Sequence, residues 1–226
     1  MKTDLSAIKG ILWDLDNTLY PSTQAVYDSF NQAIARAAIA SGVDLSFEEA
    51  TALASRSFEE NRYSGLIFIQ KYNIPFVDLH WLTDQYLDHS VVAVCAETES
   101  VFSRTTHDHA LITHASSNWA INVLNRLGLK KCFPDERIFG FENYDFESKA
   151  RSRRPFEMAL ASINLNPKDV VMVEDTVENL RVPHEMGMTT ILVHHGQVPQ
   201  DLPDYVDIHS QNARTVMARF YSSASG

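Results

Sequence analysis

Two aspartates separated by one residue, Asp14 and Asp16, directly follow an apolar run near the start of the chain. Side chains two positions apart lie on the same side of an extended backbone, so both carboxylates can point into one crevice. They repel each other by roughly 4 kcal/mol at 4 Å and an effective dielectric of 20. A hard divalent cation with oxygen ligands would offset that repulsion. The alternative is a surface turn, in which the pattern Asp-x-Asp-Asn is also common.

Polar side chains also follow two later apolar runs. Thr113 and His114 come after one of them, and Glu174 and Asp175 come after the run that begins at Val170. In open parallel sheets, ligands bind in the crevice beyond the carboxyl ends of the strands. We therefore expect these groups to meet the two aspartates at one edge of a sheet.

The residue types at this edge suit the handling of a phosphate group. The carboxylates of Asp14, Asp16, Glu174 and Asp175 are hard oxygen ligands of the kind that Mg²⁺ takes beside phosphate. Thr113 and the backbone amides after it can receive phosphate oxygens, helped by the positive end of the helix that follows. This chemistry is phosphoryl transfer, which depends mainly on positioning and charge neutralisation.

The composition excludes several classes of partner and location. The chain has 226 residues and a formal net charge of −10, which argues against a nucleic-acid polymer or an anionic membrane as partner. It contains no run of ~20 apolar residues that would span a membrane. Residues 1–4 lack the apolar segment of a signal peptide. Its two cysteines lack metal-type spacing, so we expect reduced thiols and a cytoplasmic protein.

Apolar runs of strand type alternate with helical patterns over most of the chain, which predicts an α/β fold with a doubly wound parallel sheet. The region between the first strand and residue 99 is different, since its periodicity is helical throughout. Ser46 with Glu49 three residues later predicts a capping box there. We therefore expect a Rossmann-like core of residues 1–20 and 100–226, and a small helical domain of residues 21–99.

Three motifs of the chain resemble those of the haloacid dehalogenase (HAD) superfamily, in the expected order. Residues 14–20 (DLDNTLY) look like its first motif, residues 111–113 (LIT) like its second, and residues 171–180 (VMVEDTVENL) like its fourth. The resemblance covers residues 9–196. It implies a Rossmann-like catalytic core and identifies the helical insertion as the family's small cap domain.

The resemblance also implies roles for individual residues. Asp14 would be the nucleophile that forms an aspartyl-phosphate, and Asp16 the general acid and base. Asp14, the backbone carbonyl of Asp16, and Asp175 would hold Mg²⁺, with Glu174 as a ligand or an outer acceptor. Thr113 would bind a phosphate oxygen. Because dehalogenases carry no acid at the position of Asp16, the resemblance favours a phosphatase.

The third motif is less regular. The family places a lysine ahead of a proline and a helix, and Lys149 fits this role best, although Arg151, Arg153 or Arg154 could serve instead. His114 stands where the family usually has asparagine. It either contacts phosphate or substrate, or caps the following helix.

Residues 14–21 and 61–66 look most like the pyrimidine 5′-nucleotidase branch of the superfamily. Tyr20, Arg62 and Tyr63 are therefore candidates to contact substrate, although Tyr63 and nearby Phe68 have the spacing of core aromatics. Four histidines are expected to be structural: His107, His109, His194 and His195.

The sequence thus predicts a Mg²⁺-dependent phosphatase of a small phosphorylated metabolite, with a pyrimidine nucleotide as the preferred substrate, acting as a monomer or homodimer. The alternatives are a sugar-phosphate phosphatase, a phosphoglucomutase-like phosphotransferase, and a family member that binds phosphate without turnover. A phospho-accepting receiver domain is a poorer match, because receivers are far shorter and lack the insertion.

Overall fold

The computed structural model describes residues 5–196, 198 and 200–222. The N-terminal residues 1–4, and residues 223–226 of the Ser-rich end, lie outside the described residues. Contacts within the chain define two compact units, Met1–Pro21 with Ala93–Gly226, and Ser22–Val92. The predicted division placed residues 93–99 with the helical domain.

A six-stranded, all-parallel sheet forms the larger unit, as the alternating pattern predicts. The strands run β3-β2-β1-β4-β5-β6 across the sheet. Their bounds are β1 Gly10–Trp13, β2 Asp108–Ile112, β3 Ile138–Phe139, β4 Val170–Glu174, β5 Thr189–Val193 and β6 Ile208–Ser210. In the middle of the sheet, β1 and residues 170–173 of β4 are apolar because helices cover both of their faces.

Helices occupy both sides of this sheet and the whole of the smaller unit. Those of the smaller unit are α1 Gln24–Ala40, α2 Phe47–Asn61, α3 Leu66–Tyr72 and α4 Phe76–Asp84. Those of the larger unit are α5 Ala96–Phe102, α6 Ser117–Arg126, α7 Arg154–Ile163, α8 Arg181–Glu185 and α9 Ala213–Ser222. Among the helices of the described residues, none is long and apolar enough to cross a membrane.

The two faces of the sheet have separate cores because alternate strand residues point to opposite sides. Leu12 of β1 packs with the apolar face of α7, including Phe156 and Leu160. On the opposite face, the Trp13 ring lies 5.0 Å from that of Phe102 in α5. Asp14 follows these two buried residues directly, so the position of its backbone is set by packing on both sides of β1.

The smaller unit has its own apolar core and the predicted capping box. Its core joins α1, α2, α3 and α4 around Phe68 and Leu79, which are fully buried. The Ser46 hydroxyl accepts from the Glu49 N–H, and the Glu49 carboxylate accepts from the Ser46 N–H, which satisfies two free donors of α2. No strand occurs in this unit, which is described throughout.

The pattern of residues 177–186, followed by Gly187, predicts a single helix, and this prediction is wrong in form. The structure has a 3-10 turn over Val177–Leu180 and the α-helix α8 only from Arg181. Pro183 has no N–H to donate to the carbonyl four residues earlier, so an α-helix can include it only within its first turn.

Candidate active site

Asp14 lies at the carboxyl end of β1, in the middle of the sheet. Its N–H donates to the Val173 carbonyl of neighbouring β4 at 2.9 Å, which continues the strand pairing by one residue. The side chain is only 5 % exposed. Its Oδ2 accepts from the Thr18 hydroxyl at 2.9 Å and its Oδ1 from the Lys149 ammonium at 2.6 Å. The carboxylate is therefore buried and held on both oxygens.

Lys149 provides the positive charge of the site. Its Nζ lies 2.6 Å from Asp14 Oδ1 and 2.7 Å from Glu174 Oε2, and the residue is 1 % exposed. Burial alone lowers the pKa of this ammonium, but the two carboxylates outweigh burial and raise the pKa above its ordinary value. Lys149 is therefore permanently charged.

The three arginines that were alternatives to Lys149 lie elsewhere. Arg154 pairs with Asp145 at 2.6 Å, and Arg153 lies 3.5 Å from Glu157. Arg151 is exposed. Of these basic groups, Lys149 pairs with the buried carboxylates Asp14 and Glu174, so it remains the best candidate for the third-motif lysine.

Three carboxylates beside Lys149 form an acidic cluster that suits a divalent cation. Asp14, Glu174 and Asp175 each offer an oxygen, and these oxygens all lie within 4.8 Å of one another. Together with Lys149 they leave a formal charge of −2 in a buried site. Burial and the neighbouring carboxylates raise the pKa of Asp14 to about 7 and that of Glu174 to about 7. A divalent cation would relieve this unfavourable crowding, so the residues fit a metal such as Mg²⁺.

Asn17 makes a hydrogen bond that holds one carboxylate of this cluster in place. Its side-chain amide donates to Asp175 Oδ2 at 2.8 Å, and its backbone has a positive φ of 58°. Asparagine tolerates this left-handed conformation better than most residues. The turn after β1 is thereby tied to the end of β4.

The Asp16 carboxylate is bonded to side chains outside the three-carboxylate cluster. Its Oδ1 accepts from the indole N–H of Trp119 at 2.9 Å and from the Tyr20 hydroxyl. The Thr113 hydroxyl lies 3.4 Å from its Oδ2. Burial raises the pKa of the Asp16 carboxyl, while the hydrogen bonds from Tyr20, Trp119 and Thr113 oppose the rise. The predicted metal contact of Asp16 through its backbone carbonyl stays a prediction.

His114 does not cap the helix that follows it, so that alternative is wrong. The cap of α6 is Ser116, whose hydroxyl accepts from the Trp119 N–H at 2.9 Å. The His114 Nε2 instead accepts the backbone N–H of Lys149 at 3.2 Å. Burial and nearby Lys149 lower the pKa of His114 to about 3, so the ring is neutral and carries its proton on Nδ1.

A second contact also joins the two loops that carry Thr113 and Lys149. Tyr144 is fully buried, and its hydroxyl donates to the Thr113 carbonyl at 2.6 Å. His114 and Tyr144 thus connect the loop after β2 to the loop that presents Lys149. Tyr144 is not among the site residues predicted from sequence, because nothing in its local pattern separates it from a core aromatic.

The three residues predicted to contact substrate lie in two units. Tyr20, in the larger unit, is 3 % exposed and uses its hydroxyl on Asp16. Arg62 is exposed at the end of α2 in the smaller unit, where its guanidinium lies over the Phe58 ring. Tyr63 is partly buried, and its ring lies 6.0 Å from that of Phe76. Their contact with substrate stays a prediction.

Comparisons with known proteins agree with this geometry. The sequence model of the haloacid dehalogenase-like hydrolase family matches residues 8–187. The chain therefore belongs to the haloacid dehalogenase-like hydrolase family, and it is a hydrolase. No curated protein is similar enough to the chain to be matched.

Solved structures show the same fold at low sequence identity. An HAD phosphatase from Thermococcus onnurineus has a TM-score of 0.66 and 16 % identity, covering 97 % of this chain and 99 % of its own. CbbY from Rhodobacter sphaeroides, in complex with phosphate, has a TM-score of 0.66 and 18 % identity over 91 % and 94 %. The magnesium-bound HAD-hydrolase YfnB from Bacillus subtilis has a TM-score of 0.60 and 14 % identity over 97 % and 99 %.

Proposed function

We propose that this chain is a Mg²⁺-dependent phosphatase that hydrolyses small phosphomonoesters through an aspartyl-phosphate on Asp14. The observation that carries the proposal is the setting of the Asp14 carboxylate. It is buried, paired with Lys149 at 2.6 Å, and adjacent to two further acids. A second acid, Asp16, lies two residues on and is bonded to different partners. One carboxylate is thus placed to attack and the other to move protons.

The residues of the site then have the following roles in the reaction. Asp14 attacks phosphorus, and the bond from phosphorus to the leaving oxygen breaks. Asp16 donates its proton to that oxygen, then takes a proton from the water that attacks phosphorus and frees Asp14. Lys149 balances negative charge on Asp14 and phosphate. Mg²⁺, held by Asp14, Asp175, Glu174 and the Asp16 carbonyl, would neutralise charge on the phosphoryl oxygens.

Thr113 and His114 are the proposed phosphate-side groups on the loop after β2. Thr113 is 1 % exposed, and its hydroxyl accepts the Ala115 N–H at 3.0 Å, which fixes the turn. The neutral His114 ring keeps a donor on Nδ1, which suits a phosphate oxygen or a substrate hydroxyl. Both residues follow β2, the strand that pairs with β1.

For the substrate, we propose a nucleoside monophosphate, with a pyrimidine 5′-nucleotide preferred. The support is the resemblance of residues 14–21 and 61–66 to the nucleotidase branch. The smaller unit, Ser22–Val92, would be the cap that selects the substrate, with Arg62 and Tyr63 as its contacts. A cytoplasmic location and a monomer or homodimer complete the proposal.

A panel of phosphomonoesters tests both levels of this proposal. The purified protein with Mg²⁺ is expected to release inorganic phosphate without an acceptor, fastest from pyrimidine nucleotides. Asp14→Asn should abolish release, whereas the exposed control Asp201→Asn should retain it. Preference for sugar phosphates would overturn the nucleotidase assignment alone. Equal rates for wild type and Asp14→Asn would overturn the mechanism.

A further inference from the structure

One oxygen of the Asp16 carboxylate accepts hydrogen bonds from two donors, one four residues away and one 103 residues away in the chain. Oδ1 accepts from the Tyr20 hydroxyl and, at 2.9 Å, from the indole N–H of Trp119 in α6. Tyr20 and Trp119 are only 3 % and 2 % exposed. Water is therefore largely excluded from both hydrogen bonds, which strengthens them.

Both partners donate to Oδ1. An indole N–H has no acceptor capacity. Burial and the charge of Asp16 raise the pKa of Tyr20 well above its ordinary value, so its hydroxyl keeps its proton. A proton on Oδ1 would compete with these two donors for the lone pairs of that oxygen.

The second oxygen, Oδ2, is held far less tightly. Among the described residues, it is contacted by the Thr113 hydroxyl at 3.4 Å, which is long for an O–H···O hydrogen bond. Thr113 also lies on the proposed phosphate side of the site. The two oxygens of Asp16 are therefore unequal, and the less constrained one lies beside Thr113.

We infer that Tyr20 and Trp119 are positioning residues, which hold Asp16 through Oδ1 and reserve Oδ2 for proton transfer. This inference rests on the proposed phosphatase function. As the bond from phosphorus to the leaving oxygen breaks, its electron pair goes to that oxygen, which takes the proton from Oδ2. When water attacks phosphorus in the second half-reaction, Oδ2 takes a proton from it, and the bond from phosphorus to Asp14 breaks.

The inference gives Tyr20 a different role from the substrate contact predicted from sequence. Its hydroxyl is already committed to Asp16, and its side chain is buried. The same role accounts for the tryptophan at position 119, whose N–H is the second donor to Oδ1. The N–H of Trp119 crosses from the first turn of α6 to a carboxylate 103 residues earlier in the chain.

Leaving-group dependence tests this positioning role. A nitrophenolate leaves without protonation, whereas an alkoxide needs a general acid, and kcat/KM reports the steps through the departure of the leaving group. Tyr20→Phe and Trp119→Phe are each expected to lower kcat/KM for an alkyl phosphate by about 10-fold, a fraction of the full effect of a general acid. For p-nitrophenyl phosphate they should change kcat/KM by less than about 2-fold.

Trp13→Phe is a matched control. It also removes a buried indole N–H, one that donates to His109 at 3.0 Å and not to Asp16. It should change kcat/KM for the two esters by the same factor, whatever it does to stability. If Tyr20→Phe and Trp119→Phe also lower kcat/KM by the same factor for both esters, the two residues are merely structural and the inference is wrong.

A double-mutant cycle separates this failure from failure of the proposed function. In an Asp16→Asn background, Tyr20→Phe should cause no further loss on the alkyl ester, because its effect passes through Asp16. A further 10-fold loss there would overturn the inference and leave the phosphatase intact. If the wild type hydrolyses neither ester, the proposed function falls and the inference falls with it.

Discussion

At the scale of single residues, the charge balance of the site depends on Lys149. Its ammonium is the cation paired with Asp14 and Glu174 in a site that is almost fully buried. Burial makes each of these charges costly, so they are tolerated only as a group. The same arrangement would receive the negative charge of a phosphoryl group beside Asp14.

Replacing Lys149 should therefore affect turnover strongly. Lys149→Gln is expected to lower kcat by at least about 100-fold, comparable to the loss of an oxyanion-stabilising donor. Steady-state phosphate release measures the effect. Arg151→Gln, which removes an exposed basic group two residues away, should keep full activity. Loss of activity in Arg151→Gln alone would mean that the third-motif residue has been assigned incorrectly.

A second residue-scale prediction concerns His109, a histidine of the core. Its Nδ1 accepts the Trp13 indole N–H at 3.0 Å, and its Nε2 has no hydrogen-bond partner among the described residues. Burial lowers the pKa of His109 from 6.5 to about 3. The folded state therefore binds fewer protons than the unfolded state, so this contribution to stability is complete above pH 6.5 and is lost as the pH falls toward 3.

His109→Phe should make the pH dependence of stability shallower. Below pH 6.5 the slope of the unfolding free energy should fall by up to about 1.4 kcal/mol per pH unit. At neutral pH the variant should be about 1–3 kcal/mol less stable, because the Trp13 N–H loses its acceptor. Urea unfolding over a pH series measures both. Slopes identical to those of wild type would refute this account. The control is His209→Gln, which removes an exposed histidine and should leave the slope unchanged.

At the scale of elements, the loop after β3 packs closely against the loop after β2 at Gly140. An added Cβ there would lie 2.1 Å from the backbone nitrogen of Ser117, closer than real atoms approach. The Phe141 N–H also donates to the Ala115 carbonyl at 2.9 Å. This close approach joins the start of α6 to the loop that presents Lys149.

Gly140→Ala should separate these two loops. We expect a loss of about 1–3 kcal/mol in the free energy of unfolding, as for other overpacked sites, together with reduced turnover. Gly187→Ala is the control, because its φ of +91° makes alanine strained but nothing lies within 4 Å of its Cβ. That variant should lose about 1 kcal/mol of stability and keep its kcat. Unchanged stability in Gly140→Ala would contradict the packing argument.

Local pattern was sufficient to predict most elements and the ends of the central strands. Apolar residues at spacings of three and four predict a helix over residues 24–40, and Ser46 as N-cap predicts one over residues 47–61. The observed bounds of α1 and α2 are the same. The apolar runs of β1 and β4 likewise predict that Asp14 and Asp175 lie at one sheet edge, and the two strands are paired. Such features depend on neighbours within a few residues. Two helices, α5 and α9, were not predicted.

Long-range pairings could not be predicted in the same way. The contact of Trp119 with Asp16 spans 103 residues, and neither side chain shows it by its type. The choice of Lys149 over three nearby arginines depends on which group turns inward, and that follows from the loop path fixed by His114 and Tyr144. Tertiary packing decides these points.

At the scale of the whole molecule, an acidic chain concentrates part of its charge in one buried cluster. The formal net charge is −10, and carboxylate oxygens of Asp14, Glu174 and Asp175 lie within 4.8 Å of one another. Binding of a divalent cation to the folded state alone would stabilise the protein by mass action.

Mg²⁺ should therefore raise the Tm of the wild type and restore activity after chelation. At 100 times the dissociation constant, the expected gain is about 2.7 kcal/mol in the free energy of unfolding. Asp175→Asn should show a smaller rise in Tm, whereas Asp201→Asn should match the wild type. Thermal unfolding with and without Mg²⁺ measures this. An equal rise in Asp175→Asn would exclude Asp175 as a ligand.

The covalent intermediate tests the central claim most directly. Asp16→Asn should slow hydrolysis of the aspartyl-phosphate, so that acid quenching during turnover of p-nitrophenyl phosphate with Mg²⁺ traps it. Peptide mass spectrometry is then expected to find one phosphoryl group on Asp14, and none when Asp14→Asn is added. A phosphoryl group on another residue, or turnover that persists in Asp14→Asn, would contradict the account.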